Sequence, residues 1–208
     1  VKTILFDFDG TIADSFEAVL AITNRLALEF GYPPTTPDDV PRLRRLSSRE
    51  VIRQSRVSPY RLPWLLHRLR WELQQEISSL QPIAGMPEVL KVLKQQGNRL
   101  GIVTSNSTDN VVAFLQRQNL RQTFDWVETG LTVFGKGRLI RRVIRDNNLS
   151  RDQVIYVGDE TRDIEAAKSI GVKVIAVGWG FNSPEILAAY HPNALICHPS
   201  ELVEVVRL

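Results

Sequence analysis

Cysteine is almost missing from this chain of 208 residues, where Cys197 stands alone. A single thiol excludes an internal disulfide and any cysteine-based zinc cluster. No apolar run reaches the ~20 residues that a helix needs to cross a bilayer. The chain opens directly into an apolar segment at Lys2-Thr3-Ile4, without the basic, apolar and cleavage regions of a secretory leader. Internal repeats and low-complexity stretches are also lacking. These absences predict a cytoplasmic protein with no membrane partner. With 43% hydrophobic and 24% charged residues, the chain has the make-up of a globular protein that buries a full core.

Lysine is scarce in a telling place. Only Lys2, Lys91, Lys94, Lys136, Lys168 and Lys173 occur, and none lies between Asp14 and Gln81, a stretch holding ten arginines from Arg25 to Arg70. Glycine is absent between Tyr32 and Gln81 as well. A basic segment invites comparison with nucleic-acid binders. No nucleic-acid motif accompanies it, however, and the arginines alternate with Leu and Trp at helical spacing. A solvated helix face accounts for that pattern, and nucleic acid is not expected as a partner.

Against these gaps stands the run Ile4-Leu5-Phe6-Asp7-Phe8-Asp9-Gly10-Thr11-Ile12-Ala13-Asp14-Ser15. Two acids interrupt an apolar strand, and a Gly-Thr turn closes it. Carboxylates there cost several kcal/mol to desolvate, so they are normally paired or bound to metal. At i and i+2 they point to the same side of an extended chain. The simplest arrangement has both converging on one cation and one reacting atom at the strand's carboxyl end.

Periodicity then organises the rest. Phe16 to Phe30 reads as a helix stopped by Gly31. A turn-rich patch from Tyr32 to Pro37 leads to short helical pieces through Arg56. Pro63 precedes a long helix from Trp64 to Leu80, with Trp64, His67, Trp71, Ile77 and Leu80 as its expected core stripe. From Pro82 the rhythm changes. Helices are expected at Pro87–Gln96, Thr108–Gln118, Lys136–Asn147 and Glu160–Ser169. Strands are expected at Arg99–Thr104, Trp126–Val127, Gln153–Val157 and Lys173–Val177. The alternation predicts an α/β fold: a Rossmann-like parallel sheet covered by helices on both faces, interrupted after its first strand by an all-helical insertion. The boundaries are 1–13 and 82–208 for the α/β core and 14–81 for the insertion.

Open parallel sheets bind ligands at the carboxyl ends of their strands. The first strand supplies Asp7 and Asp9 there. The next supplies Thr104, Ser105 and Asn106, short polar groups at a helix start that suit an anion. Lys136 begins the following helix as a mobile point charge. Gly158-Asp159 ends another strand, and Asp163 lies on the first turn beyond it. Three acids for a hard cation, an anion pocket and a fixed cation together fit phosphoryl transfer, and the oxygen donors suit Mg2+.

The four segments Asp7-Phe8-Asp9-Gly10-Thr11, Ile102-Val103-Thr104, Lys136 and Gly158-Asp159…Asp163 resemble, in order, those of the haloacid dehalogenase superfamily of aspartate-nucleophile phosphatases. Within it the chain is most similar to the phosphoglycolate phosphatase-like group, which has a helical cap after the first strand. Val177-Gly178-Trp179-Gly180-Phe181-Asn182-Ser183 resembles the same group. The resemblance implies that Asp7 attacks phosphorus and forms an aspartyl-phosphate, while Asp9 protonates the leaving alcohol and then activates water. It implies Mg2+ held by Asp7, the Asp9 carbonyl, Asp159 and Asp163, and phosphate oxygens held by Thr104 and Lys136, with Ser105 and Asn106 beside them.

The second aspartate separates this pattern from the dehalogenases, and the lysine-free cap separates it from hydrolases that form a Schiff base there. A sugar-phosphate phosphatase, a mutase of the β-phosphoglucomutase type and a non-catalytic phosphate-binding module stay open as alternatives. Two departures from the family pattern stand out: no glycine in the cap loop, and Gly137 where proline usually follows the lysine. The loop facing the core is expected within Arg42–Arg49. Arg44 and Arg45 are the candidates to pair with an anionic group of the substrate. The expected partner is therefore a small phosphorylated metabolite, an anionic phosphomonoester. Trp64, Trp71 and Trp179 fit core or interface equally, which leaves the oligomeric state unread. Cys197 and His198 are read as structural.

Overall fold

The computed structural model describes residues 1–130 and 135–207. In chain order the elements are β1 (Thr3–Phe6), α1 (Phe16–Phe30), α2 (Val40–Arg44), α3 (Ser48–Ser55), α4 (Leu62–Glu76), α5 (Met86–Gln95), β2 (Arg99–Thr104), α6 (Thr108–Arg117), β3 (Trp126–Thr129), α7 (Lys136–Asp146), β4 (Val154–Gly158), α8 (Thr161–Lys168), β5 (Lys173–Val177), α9 (Pro184–Ala189), β6 (Ala194–Ile196) and α10 (Leu202–Val205). The strands form one parallel sheet in the order β3-β2-β1-β4-β5-β6. β1 lies at its centre, so Asp7 and Asp9 emerge where the strand order reverses, the usual ligand position of such sheets.

Both faces of the sheet are covered, which is why its strands are almost continuously apolar. Ile4 and Phe6 point into one core with residues of α1, α4, α5 and α6, among them Phe30, Leu73, Leu90 and Phe114. Leu5 points the other way, toward Ile140 and Val143 of α7, Ile164 of α8 and Leu187 of α9. No helix among the described residues is long and apolar enough to cross a membrane.

Helices α1–α4 occupy the insertion, with no strand among them. The chain leaves and re-enters the core at one place. Asp14 N–H donates to the Gln81 carbonyl at 2.9 Å, and Ile83 N–H donates to the Ile12 carbonyl at 2.8 Å.

The expected stripe of α4 needs correction. Trp64 is 69% and Trp71 50% exposed, and His67 is exposed too. The inward face is instead Leu65, Leu69 and Leu73, continued by Ile77 and Leu80 in the segment beyond. That face is already filled by branched aliphatics, and Trp71 stacks under the Arg68 guanidinium 5.0 Å away. The helix also starts at Leu62, since Pro63 fits its first turn, and stops at Glu76. Cys197 is free and exposed, and its N–H and that of His198 both donate to the Glu201 carboxylate.

Candidate active site

Lys136 lies at the centre of the charged cluster beyond β1. It is 3% exposed, and its Nζ donates to Asp7 Oδ2 at 2.6 Å and to Asp163 Oδ1 at 2.5 Å. The Tyr156 ring lies 5.7 Å beneath it. Burial disfavours the ammonium, but Asp163 and Asp7 outweigh it, so the lysine's pKa is raised and its charge is fixed. Asp7 Oδ1 accepts from Phe8 N–H at 2.8 Å.

Asp9 opens on the cavity. Burial and then the nearby Asp7 charge push its carboxyl up to about 6, and a hydrogen bond from Asn106 partly offsets them. Asn106 Nδ2 donates to Asp9 Oδ2 at 2.9 Å, while Asp9 Oδ1 has no partner among the described residues. Asn106 is itself fixed. Its N–H donates to Thr104 Oγ1 at 3.0 Å, and its Oδ1 accepts from Asn110 Nδ2 at 2.9 Å. Asn110 reaches further and donates to the Arg70 carbonyl of α4 at 3.2 Å.

β4 delivers the remaining acids. Asp159 is fully buried, and its oxygens accept from Thr11 Oγ1 and from Phe181 N–H, both at 2.7 Å. Burial, followed by Glu160, Asp7 and Asp163, raises its pKa well above the usual carboxylate range. Gly10 has φ +72°, and a Cβ there would collide with the Asp159 carboxylate and Phe181, so only glycine fits the turn. Asp163 caps its own helix by accepting from Glu160 N–H at 3.1 Å. Burial pushes it up to about 6 against the opposing pull of Lys136.

One oxygen each from Asp7, Glu160 and Asp163 lies within 4.8 Å of the others. An all-oxygen set of this kind fits a hard divalent cation. Glu160 is a member that the sequence did not single out. It closes a capping box with Asp163 and pairs with Arg162, and that local role hides it in a linear reading.

A cavity of about 520 Å³ opens from this cluster into the helical insertion. Asp9, Ser105, Asn106, Glu160 and Arg162 line its polar end, and Phe16, Leu20, Leu43 and Leu69 are among its apolar walls. Of the two expected cap arginines the structure brings only Arg44 to it. Arg44 Nη2 donates to the Gly180 carbonyl at 2.6 Å, its guanidinium lies 5.4 Å from the Phe16 ring centre, and its buried Nε has no partner. Arg45 is exposed and does not line the cavity. Arg70, which does, was not foreseen, although its place next to Leu69 and three residues before Leu73 puts it beside the buried face of α4.

The segment after β5 closes the site. Phe181 packs edge-on against Phe16 with ring centres 5.4 Å apart. Asn182 Nδ2 donates to the Leu46 carbonyl at 2.9 Å, and Ser183 N–H donates to the Arg44 carbonyl at 2.8 Å.

A family model described as haloacid dehalogenase-like hydrolase matches residues 4–177. A phosphoglycolate phosphatase of Synechococcus elongatus is 40% identical over 206 residues, covering 99% of this chain and 97% of the relative. An N-acetylmuramic acid 6-phosphate phosphatase of Pseudomonas aeruginosa is 25% identical, with 99% and 95% covered. Among solved structures, a predicted phosphatase from Clostridium acetobutylicum superposes with a TM-score of 0.86 at 21% identity, over 100% of this chain and 99% of the other.

Proposed function

Given that the chain belongs to the haloacid dehalogenase-like hydrolases and is an enzyme that hydrolyses phosphate esters, we propose that it cleaves a small anionic phosphomonoester through an aspartyl-phosphate on Asp7. The observation that carries this reading is the Asp7–Lys136–Asp163 cluster, with Asp9 held beside it by Asn106. Phosphoglycolate, the substrate in the name of the 40% identical relative, is the first compound to test.

Lys136 pairs with Asp7 at 2.6 Å at the bottom of the site, and one Asp7 oxygen attacks phosphorus in line with the leaving oxygen. Asp9, with its carboxyl raised to about 6, is a fitting general acid, and it gives its proton to that oxygen as the P–O bond breaks. The carboxylate left on Asp9 then takes a proton from water. The resulting hydroxide attacks the phosphorus of the aspartyl-phosphate, and Asp7 departs with inorganic phosphate released. Thr104, Ser105, Asn106 and Lys136 surround the equatorial oxygens, where charge accumulates.

Asp7, the Asp9 carbonyl and Asp163 would hold Mg2+, with Asp159 and Glu160 completing the acidic shell. The cation would supply charge neutralisation at the phosphoryl oxygens. Asp159 would contribute an oxygen that also accepts from Thr11 or Phe181. We assign residues 1–13 and 82–208 to the catalytic core and 14–81 to the cap, a division supported by the paired crossings at Asp14–Gln81 and Ile12–Ile83. Arg44, at the cavity wall, is the cap residue of the original pair that stays in this assignment.

Phosphate release from phosphoglycolate and a panel of phosphorylated metabolites, with Mg2+ and with EDTA, tests the reading. Magnesium-dependent release that Asp7→Asn abolishes supports it. Release insensitive to both EDTA and Asp7→Asn overturns it.

A further inference from the structure

Four arginines line the cavity: Arg42, Arg44, Arg70 and Arg162. Three are occupied. Arg42 pairs with Asp39 at 3.0 Å and with Gln54 at 2.8 Å. Arg162 is partly buried and paired with Glu160. Arg44 is anchored through Nη2 on the Gly180 carbonyl, and its guanidinium lies against the Phe16 ring. Lys136, at the bottom of the site, is shared between Asp7 and Asp163.

Arg70 differs. It comes from α4, lines the same cavity as Asp9 and is half-buried. Its guanidinium makes one long hydrogen bond among the described residues, from Nη2 to the Gly130 carbonyl at 3.4 Å. No carboxylate of the described residues forms an ion pair with it, and Asp9 is the acid whose field reaches it. Its backbone is fixed independently of the side chain, because its carbonyl accepts from Asn110. The result is a cation at the cavity wall whose guanidinium makes a single long hydrogen bond among the described residues.

Resting on the proposed phosphatase reading, we infer that Arg70 is the specificity residue, pairing in bidentate fashion with a carboxylate or second phosphate on the leaving group. A guanidinium fork matches either oxyanion with two parallel N–H bonds, and that of Arg44 is already turned onto Gly180 and Phe16. Leu66, Leu69 and Leu73 line the cavity beside it, and an apolar surround strengthens such a pair. Arg70 and Asp9, which serves the leaving oxygen, line one cavity, so the inferred anion belongs to the alcohol side of the scissile bond and not to the transferred phosphoryl group.

Matched esters isolate this role. Phosphoglycolate against ethyl phosphate differs by the carboxylate, and propane-1,3-diyl bisphosphate against propyl phosphate differs by the second phosphate. The kcat/KM ratio within each pair is measured for the wild-type chain and for Arg70→Ala, Arg70→Lys and Arg45→Ala. The wild-type chain should favour the anionic member of one pair, which identifies the group. Arg70→Ala should lower that ratio about ten- to hundredfold, Arg70→Lys should restore part of it, and Arg45→Ala should leave it unchanged. A ratio equal in wild-type and Arg70→Ala overturns the inference, as does a wild-type chain with no preference in either pair; both leave the phosphatase reading standing. Failure of the wild-type chain to hydrolyse any ester with Mg2+ removes that reading and this inference together. A purely structural Arg70 would depress both members of a pair alike. Thermal melting of each variant separates misfolding from lost recognition.

Discussion

Asn106 donates from Nδ2 to Asp9 Oδ2 at 2.9 Å, and Asp9 Oδ1 is buried without a partner among the described residues. The bond selects the rotamer from which Asp9 can reach a leaving oxygen. Asn106→Ala should therefore lower kcat about tenfold or more, the scale of a hydrogen bond to a charged group. KM should change less. A rise in KM alone, with kcat intact, would show that Asn106 serves ground-state binding and not the orientation of the acid. Steady-state kinetics on the best substrate decides between them.

Lys136 offsets two buried carboxylates at once. Its replacement by Met leaves Asp7 and Asp163 without their counter-charge, which for buried pairs costs about 3–5 kcal/mol. Urea unfolding of Lys136→Met should register that loss, and the double variant Lys136→Met/Asp163→Asn should recover part of it. Equal stabilities for the single variant and the wild type would mean that water reaches the cluster.

Mg2+ should stabilise the fold, because the oxygens of Asp7, Glu160 and Asp163 already converge. A ligand at a hundred times its Kd adds about 2.7 kcal/mol to the folded state. Melting temperature should rise with added MgCl2, fall back with EDTA, and respond far less in Asp163→Asn. A melting temperature independent of the cation would remove the metal from the site.

Gly10→Ala tests the turn that closes the first motif. The position has φ +72°, and the added methyl meets Asp159 and Phe181. The strain alone exceeds about 1 kcal/mol, and the displaced Asp159 should weaken Mg2+ binding in the same variant. Denaturation and cation titration are the two readouts.

Tyr32 gives a stability signal at high pH. Its hydroxyl donates to the Thr23 carbonyl at 2.6 Å, and burial, followed by the Glu29 charge, pushes its pKa up to about 12. The unfolded chain ionises Tyr near 10. The contribution is thus complete below about pH 10 and is lost as pH rises toward 12. Stability measured through that window should fall less steeply in Tyr32→Phe than in the wild type.

Much of the site was legible because strand ends expose it. Asp7, Thr104, Lys136, Asp159 and Asp163 all break apolar runs or begin helices, and a parallel sheet brings such positions to one edge. The cap was harder. Along α4 the bulky Trp64 and Trp71 compete for attention with Leu65, Leu69 and Leu73, and the smaller side chains form the buried face. Arg70 was hidden among ten arginines of identical chemistry, and only its neighbours on the helix separate it from those in solvent. Arg44 and Arg45 could not be told apart, since α2 ends at Arg44 and periodicity gives no facing beyond it. Glu160 reads as a helix cap, which it is, and its second position beside Asp7 depends on β1 and β4 being neighbours.

The two crossings between sheet and helices lie side by side, bridged at Ala13 and Pro82 and bonded at Asp14–Gln81 and Ile12–Ile83. A segment whose ends meet at a single point behaves as a cassette. It can be lengthened, exchanged or reshaped while β1 and its neighbours keep their register. The acids proposed to break the phosphoester bond and the surface proposed to choose the ester are thereby free to change at different rates. New specificities in such an enzyme should arise through the cassette, by substitutions as small as one arginine, without disturbing the chemistry beneath it.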